Sequence, residues 1–285
     1  MGGSMTDDAG AAPVWAVGQM RVTALDDGWI EVPAERILQD PAETARAFAA
    51  SGRAPPPRLG VNAFLIRAEG RVVLVDTGSG TLMGPDAGKL QRSLARAGVA
   101  PTAIDTILLT HIHPDHTGGL RASDGAARFP GAELVVHAAD LAFWCDPQGP
   151  AAASAELGSR HRDAMHQFAP YLDRLRPLTA GAEVLPGITA IPAPGHTPGH
   201  TAYLLDGGDA SLLIWGDTVH VPEVQVPRPE VAMAFDIDAH AAVSSRRQIF
   251  AMAAAEGLAV AGMHLAFPGV ARLERAGSGY RLLPA

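Results

Sequence analysis

Three histidines and an aspartate fall within six residues, His111-Ile112-His113-Pro114-Asp115-His116, directly after the apolar run Ile104-Asp105-Thr106-Ile107-Leu108-Leu109. In extended chain, residues two apart project to the same side, so His111 and His113 present both imidazoles to one point. Pro114 disfavours helix at His113 and turns the chain. Asp115 and His116 then swing round to face a neighbouring point. Burying this many imidazoles and a carboxylate is expensive unless a cation coordinates them. Imidazole with carboxylate is the donor set of borderline divalent metals. A solvated surface histidine cluster is the bland alternative.

Three further candidates share one placement. His196 follows the apolar run Ile188–Ile191 through Pro194-Gly195, Asp217 follows Leu212–Trp215 through Gly216, and His264 follows Leu258–Ala261 through Gly262-Met263. A lone His or Asp in a loop is ordinary. Four strand ends that all deliver such residues make a site on a rigid scaffold.

The elements that must position them are legible as short β-rich runs. Strands are expected at Val61–Ile66, Val72–Val75, Ile104–Leu109, Leu134–Val136, Ile188–Ile191, Ala202–Leu205, Leu212–Trp215 and Leu258–Ala261. Leu90, Leu94 and Ala97 stand at helical spacing between Asp86 and Ala97, with Gly98 as a stop. Asp238 is placed to cap a helix running to Glu256 and ended by Gly257, and Pro41 opens another running to Ala50. Strands in two blocks, each with helices, predict an α/β protein with sheets packed on each other and helices outside. Met1-Gly2-Gly3-Ser4-Met5 reads as a cloning scar, so a disordered segment is expected over 1–13 and one domain over 14–285. The Ala54-Pro55-Pro56-Pro57 piece reads as a rigid connector, and Gln148-Gly149-Pro150 with the alanines after it as a surface loop.

Bulk numbers narrow the partners. Hydrophobic residues make up 47% of 285, enough for a sizeable core. A net charge of −8 argues against nucleic acid, whose binders carry a basic face. No stretch nears the roughly 20 apolar residues of a membrane span. One cysteine, Cys145, permits no intrachain disulfide, and a chain without a signal peptide is expected in the cytoplasm, or in the periplasm if a leader was removed.

The motifs resemble the metallo-β-lactamase superfamily. The resemblance rests on His111 to His116, on Gly195-His196-Thr197-Pro198-Gly199-His200, on Gly216-Asp217 and on His264, and begins at Leu74-Val75-Asp76-Thr77-Gly78. Within it, His264-Leu265-Ala266-Phe267-Pro268-Gly269 looks most like the methyl parathion hydrolase branch. The resemblance implies an αββα sandwich and two divalent metal ions, zinc first, with iron, cobalt or manganese acceptable to the same donors. One ion would be held by His111, His113 and His196, the other by Asp115, His116 and His264, with Asp217 between them. True β-lactamases of this fold lack an aspartate bridge here, so antibiotic hydrolysis is not the expected activity. Relatives are often homodimers, and one is expected here.

The chemistry that follows is hydrolysis. A water shared by two dications ionises near neutral pH, and the bridging hydroxide attacks a carbonyl or phosphorus. Asp115 and Asp217 are the carboxylates on which catalysis rests, through the ions they hold. Small neutral esters are the first expectation: a lactone, an aryl ester or a phosphotriester. A glyoxalase II-like thioesterase would want a basic anchor for a glutathione carboxylate, and the Arg246-Arg247 pair, expected in solvent, is the obvious one. A metal-binding interaction module without turnover is the reading from another class.

The remaining candidates are assigned individually. Asp76, at a strand end, is expected to hydrogen-bond a ligand histidine or nearby backbone. Met83 and Trp144 are expected as pocket walls, and His220, three residues past Asp217, as a pocket residue. His200 is expected to be structural, Phe143 ordinary core and Cys145 a small buried apolar group. His137, His161, His166 and His240 lack ligand spacing. The segment from Trp29 to Pro57 is expected either to cap the pocket or to pack across a partner.

Overall fold

A computed structural model describes residues 12–38, 40–52, 57–146, 149, 154–179 and 181–285. The expected connector at 54–57 and the loop after Asp146 lie largely outside these residues. So does the expected disordered N-terminus, except Ala12 and Pro13, and the Pro13 carbonyl already accepts from Ala24 N–H at 3.0 Å.

Alternation along the strands builds the layers. In the strand Arg58–Ala68, Phe64 and Ile66 join one apolar cluster while Ala63 and Leu65 join another. Val73 and Val75 split from Leu74 in the same way, and Leu212 and Ile214 split from Leu213. A period of two with both faces apolar is the mark of strands covered on both sides.

Among the described residues the strands form two sheets of seven and one small pair, Ile37–Leu38 with Ala232–Met233. In spatial order the first holds Val14–Val17, Met20–Glu31, Arg58–Ala68, Arg71–Val75, Thr106–Leu108, Glu133–His137 and Leu175–Leu178. The second holds Gly279–Pro284, Val270–Ala276, Ala259–Ala261, Ser211–Ile214, Thr201–Asp206, Ile188–Pro192 and Glu183–Leu185. They face each other across Val22, Phe64, Val75 and Leu108 on one side and Ile188, Tyr203, Leu212 and Ile214 on the other. Leu90, Leu94, Ala164 and Phe168 seat the helices Leu90–Arg96 and Ala155–Phe168 on the outside of the first sheet. Ile249, Phe250 and Ala253 seat Ala239–Glu256 on the second. Helix, sheet, sheet, helix is the αββα sandwich.

The expected helices form, with caps as read. Asp238 accepts from Ala241 N–H at the start of Ala239–Glu256, and Gly257 closes it at φ +63°. Asp40 accepts from Ala42 N–H ahead of Pro41–Ser51. The helix expected from Asp86 starts only at Leu90, because the preceding backbone is drawn to the Asp27 carboxylate: Gly88 and Leu90 both donate to it.

Candidate metal centre

The loops that leave the strand ends bring seven donors together. Two groups of ligating atoms, each within 4.8 Å of one another, comprise His111, His113, His196 and Asp217, and Asp115, His116, Asp217 and His264. All seven side chains are buried. His113 is extended, at φ −126° and ψ 159°, and Pro114 opens a single helical turn that carries Asp115 and His116 to the other group. His113 Nδ1 lies 3.0 Å from His111 Nε2 and 3.0 Å from His196 Nε2. Tetrahedral ligands on bonds of about 2.0–2.1 Å would sit at about 3.3 Å from each other.

The donor set fits divalent cations. His116 Nε2 and Asp217 Oδ1 are buried 3.2 Å apart, and neither has a hydrogen-bond partner. Burial pushes His111 and His113 well below the ordinary imidazole range, which leaves lone pairs for a metal. Burial opposes charge on His116 too, yet Asp217, Asp115 and Asp76 hold it well above that range. The carboxylates call for positive charge between them, which a bound cation would supply.

Four of the five candidate ligand histidines are aimed by their other ring nitrogen. Asp76 Oδ2 lies 2.7 Å from His116 Nδ1, and the same carboxylate accepts from the Thr110 amide and hydroxyl, both at 2.8 Å. Asp76 holds a left-handed backbone at φ +59° to do so. His111 Nδ1 meets Thr110 Oγ1 at 3.1 Å, His196 Nδ1 meets Asp236 Oδ1 at 2.8 Å, and His264 Nδ1 meets the Gly60 carbonyl at 2.8 Å. Asp140 ties two ligand loops together, accepting from Ile112 N–H, the Thr197 hydroxyl and Gly199 N–H, and burial pushes its carboxyl up to about 6.

A family model described as the metallo-beta-lactamase superfamily matches residues 56–264, well over half of the chain. The chain belongs to this superfamily. It is similar at 31% identity to the solved structure of hydrolase AbOPH, described as in the beta lactamase superfamily, with 98% of this chain and 99% of that one covered and a TM-score of 0.91. AidC, a dizinc quorum-quenching lactonase solved with a product, N-hexnoyl-L-homoserine, shares the fold at 24% identity, a TM-score of 0.89 and coverage of 98% and 99%. A hydroxyacylglutathione hydrolase of Xanthomonas axonopodis pv. citri (strain 306) is 32% identical over 155 residues, which are 54% of this chain and 44% of that enzyme.

Above the superfamily's ligands lies a cavity of about 200 Å³. Ile30, Val32, Leu59, Met83 and Phe235 give it an apolar wall, Arg36, Glu156 and Arg160 a charged one, and His220 lies on its lining. Of the segment expected to cap the pocket or pack across a partner, Ile30 to Pro33 and Arg36 lie on this lining. Met83 lies on that lining. Trp144, expected there too, does not: it is fully buried, packed edge-on beneath His113 with ring centroids 5.5 Å apart, because the short helix Ala138–Trp144 turns it into the core. Phe143 packs beside it against the same core.

His220 is drawn closer to the centre than its spacing implied. Its Nε2 lies 3.1 Å from Asp217 Oδ2, and its ring stacks on His264 at 5.2 Å. His200 is structural: it donates to the Ala193 carbonyl and accepts from Asp217 N–H at 2.8 Å, so it sets the backbone from which Asp217 projects. His161 bonds the Asp146 carbonyl at 2.7 Å, His137 accepts from Ala139 N–H, and His240 is exposed. Arg246 corrects an expectation. Instead of facing solvent it is 1% exposed and clamps the carbonyls of Thr218, Pro229 and Val231, so it is closed to a substrate carboxylate. Asp236, Asp140, Thr110 and Arg160 were not singled out as site residues; single polar residues in loops and on a helix carry no spacing signal.

Proposed function

We propose that this protein is a binuclear metal-dependent hydrolase of small esters, with lactones, aryl esters and phosphotriesters as the substrate classes. The observation that carries the reading is Asp217, shared by both donor groups at the floor of the apolar-walled cavity. His111 Nε2, His113 Nδ1 and His196 Nε2 would hold one ion. Asp115, His116 Nε2 and His264 Nε2 would hold the other, with Asp217 between. Held there, two divalent ions would supply an acidified water and a Lewis acid for the oxygen of the bond under attack.

The chain's own residues do the rest. Asp76, Thr110, Asp236 and the Gly60 carbonyl keep the imidazoles pointed at the ions, so reaction costs no reorganisation of the ligands. Ile30, Val32, Leu59, Met83 and Phe235 exclude water and take an acyl or aryl group. The cavity is smaller than the roughly 300 Å³ at which ligand sites usually begin, which favours short substrates. His220 stands beside Asp217 on the cavity lining. The lactonase neighbour supports the lactone class, and the hydroxyacylglutathione hydrolase relative supports a thioester as the second reading.

Metal analysis and a panel of esters, lactones, thioesters and phosphotriesters test this, repeated with Asp115→Asn and His264→Ala. About two ions per chain, with turnover of at least one ester class, are expected. Each variant should lose about one ion and at least a hundredfold in kcat. Two bound ions with no turnover across the panel point instead to a metal-binding module, and variants that keep both ions and full rate overturn the ligand assignment.

A further inference from the structure

The charged wall of the cavity has one group in direct contact with the centre. Arg160, a turn into the helix Ala155–Phe168, keeps its side chain 22% exposed and places Nη1 3.1 Å from His113 Nε2. Its Nη2 donates to Glu156 Oε1 at 2.8 Å, and the other oxygen of Glu156 takes Arg36 at 3.3 Å. Glu31, also on the lining, is engaged by Arg58. Two guanidiniums against one carboxylate leave this side of the mouth with a net positive charge.

The contact with His113 decides what that charge faces. His113 turns Nδ1 toward His111 and His196, so the lone pair that ligates is on Nδ1. A neutral imidazole then carries its hydrogen on Nε2. Arginine is also only a donor, so when Nδ1 holds a cation the two groups cannot bond to each other. Nη1 and the Nε2–H of His113 then confront each other 3.1 Å apart on the cavity lining as two donors without an acceptor, and an acceptor oxygen that bridges them satisfies both.

We propose that Arg160 and the Nε2–H of His113 form a carboxylate subsite, so that the preferred esters carry an anionic carboxylate a short chain away from the scissile carbonyl. This rests on the reading of the centre as an ester hydrolase and narrows its substrate class. It departs from the small neutral esters expected from the sequence, because the charge at the mouth, not the total of −8, is what a bound substrate meets. A charge-assisted hydrogen bond at a half-open site is worth about tenfold in affinity.

The test compares wild type with Arg160→Met and Arg160→Lys, each checked for equal metal content. Two substrates of matched length are used: the mono-p-nitrophenyl ester of glutarate and p-nitrophenyl pentanoate. Glutarate and pentanoate themselves are titrated by calorimetry into the metal-loaded proteins. In Arg160→Met the glutarate-to-pentanoate ratio of kcat/KM should fall about tenfold, and glutarate binding should weaken by a similar factor; Arg160→Lys should recover part of both. If neither ester is turned over, the aryl-ester part of the hydrolase reading fails, while the calorimetry still decides the subsite. A substrate ratio and a glutarate affinity within twofold of wild type in Arg160→Met overturn the proposal.

Discussion

Asp236 shows how a residue that touches no metal can govern one. Its Oδ1 lies 2.8 Å from His196 Nδ1, and its Oδ2 accepts from Met233 N–H at 2.9 Å, so both oxygens are committed. Removing the carboxylate frees the His196 ring to turn. Asp236→Ala should weaken the ion site of His111, His113 and His196 by about 10- to 100-fold, read by titration against a competing chelator. Cys145 is the opposite case. Burial, and then the nearby Asp140 carboxylate, push its thiol up to about 12. Raising the pKa leaves the thiol protonated, with about a thousandfold less thiolate at pH 8 than an ordinary cysteine holds. Iodoacetamide should therefore modify the folded protein about a thousandfold more slowly than the unfolded chain, with a rate still climbing tenfold per pH step above pH 9. Mass spectrometry of the reaction course checks this, and rates within tenfold of each other would contradict it. The metal ligands were legible at this scale because seven of them recur after strand ends. Asp236, Asp140 and Thr110 were not, because one polar residue in a loop has no periodicity to betray it.

Elements explain which parts of the fold could be read. The strand Arg58–Ala68 declares itself by its apolar run, but Met20–Glu31 does not, because Asp26-Asp27-Gly28 carries the chemistry of a turn. The structure absorbs that run as a bulge. Gly28 takes φ +109°, and Asp27, fully buried, accepts from the amides of Ser79, Gly88 and Leu90. The strand Val270–Ala276 and the edge strand Gly279–Pro284 beside it escaped notice because their runs mix charged with apolar residues. Gly195 is the tightest junction between a ligand loop and a helix. Its carbonyl accepts from Asp238 N–H at 2.8 Å, its φ is +128°, and a Cβ there would lie 2.0 Å from Ala242 N. Gly195→Ala must push His196 away from the first turn of Ala239–Glu256. A loss of roughly 3 kcal/mol in unfolding free energy is expected by urea titration, and a loss below about 1 kcal/mol would show that the loop can yield.

At the scale of the molecule, the two sheets are held apart by their own core and joined at the centre. Asn62, on the first sheet, donates to the carbonyls of Gly262 and Leu265 from the second, on either side of His264. Ions seated across that seam therefore bind the folded state alone, and their binding energy becomes folding energy. Chelation should lower stability by about 4 kcal/mol for each ion present at a thousandfold above its Kd, seen by calorimetry as a fall in Tm that added metal reverses. A Tm indifferent to chelator would mean that the ions do not bridge the seam.

The order of the donors along the chain has a temporal consequence. His111, His113 and His196 precede residue 197, whereas His264 is supplied after the long helix, on a loop beyond the strand Ala259–Ala261 that pairs in parallel with Ser211–Ile214. A chain emerging from a ribosome thus carries most of one nest of ligands while the other still lacks a wall. The second nest can close only once the strand Ala259–Ala261 has been made and has docked beside Ser211–Ile214, so the two nests are completed in a fixed order.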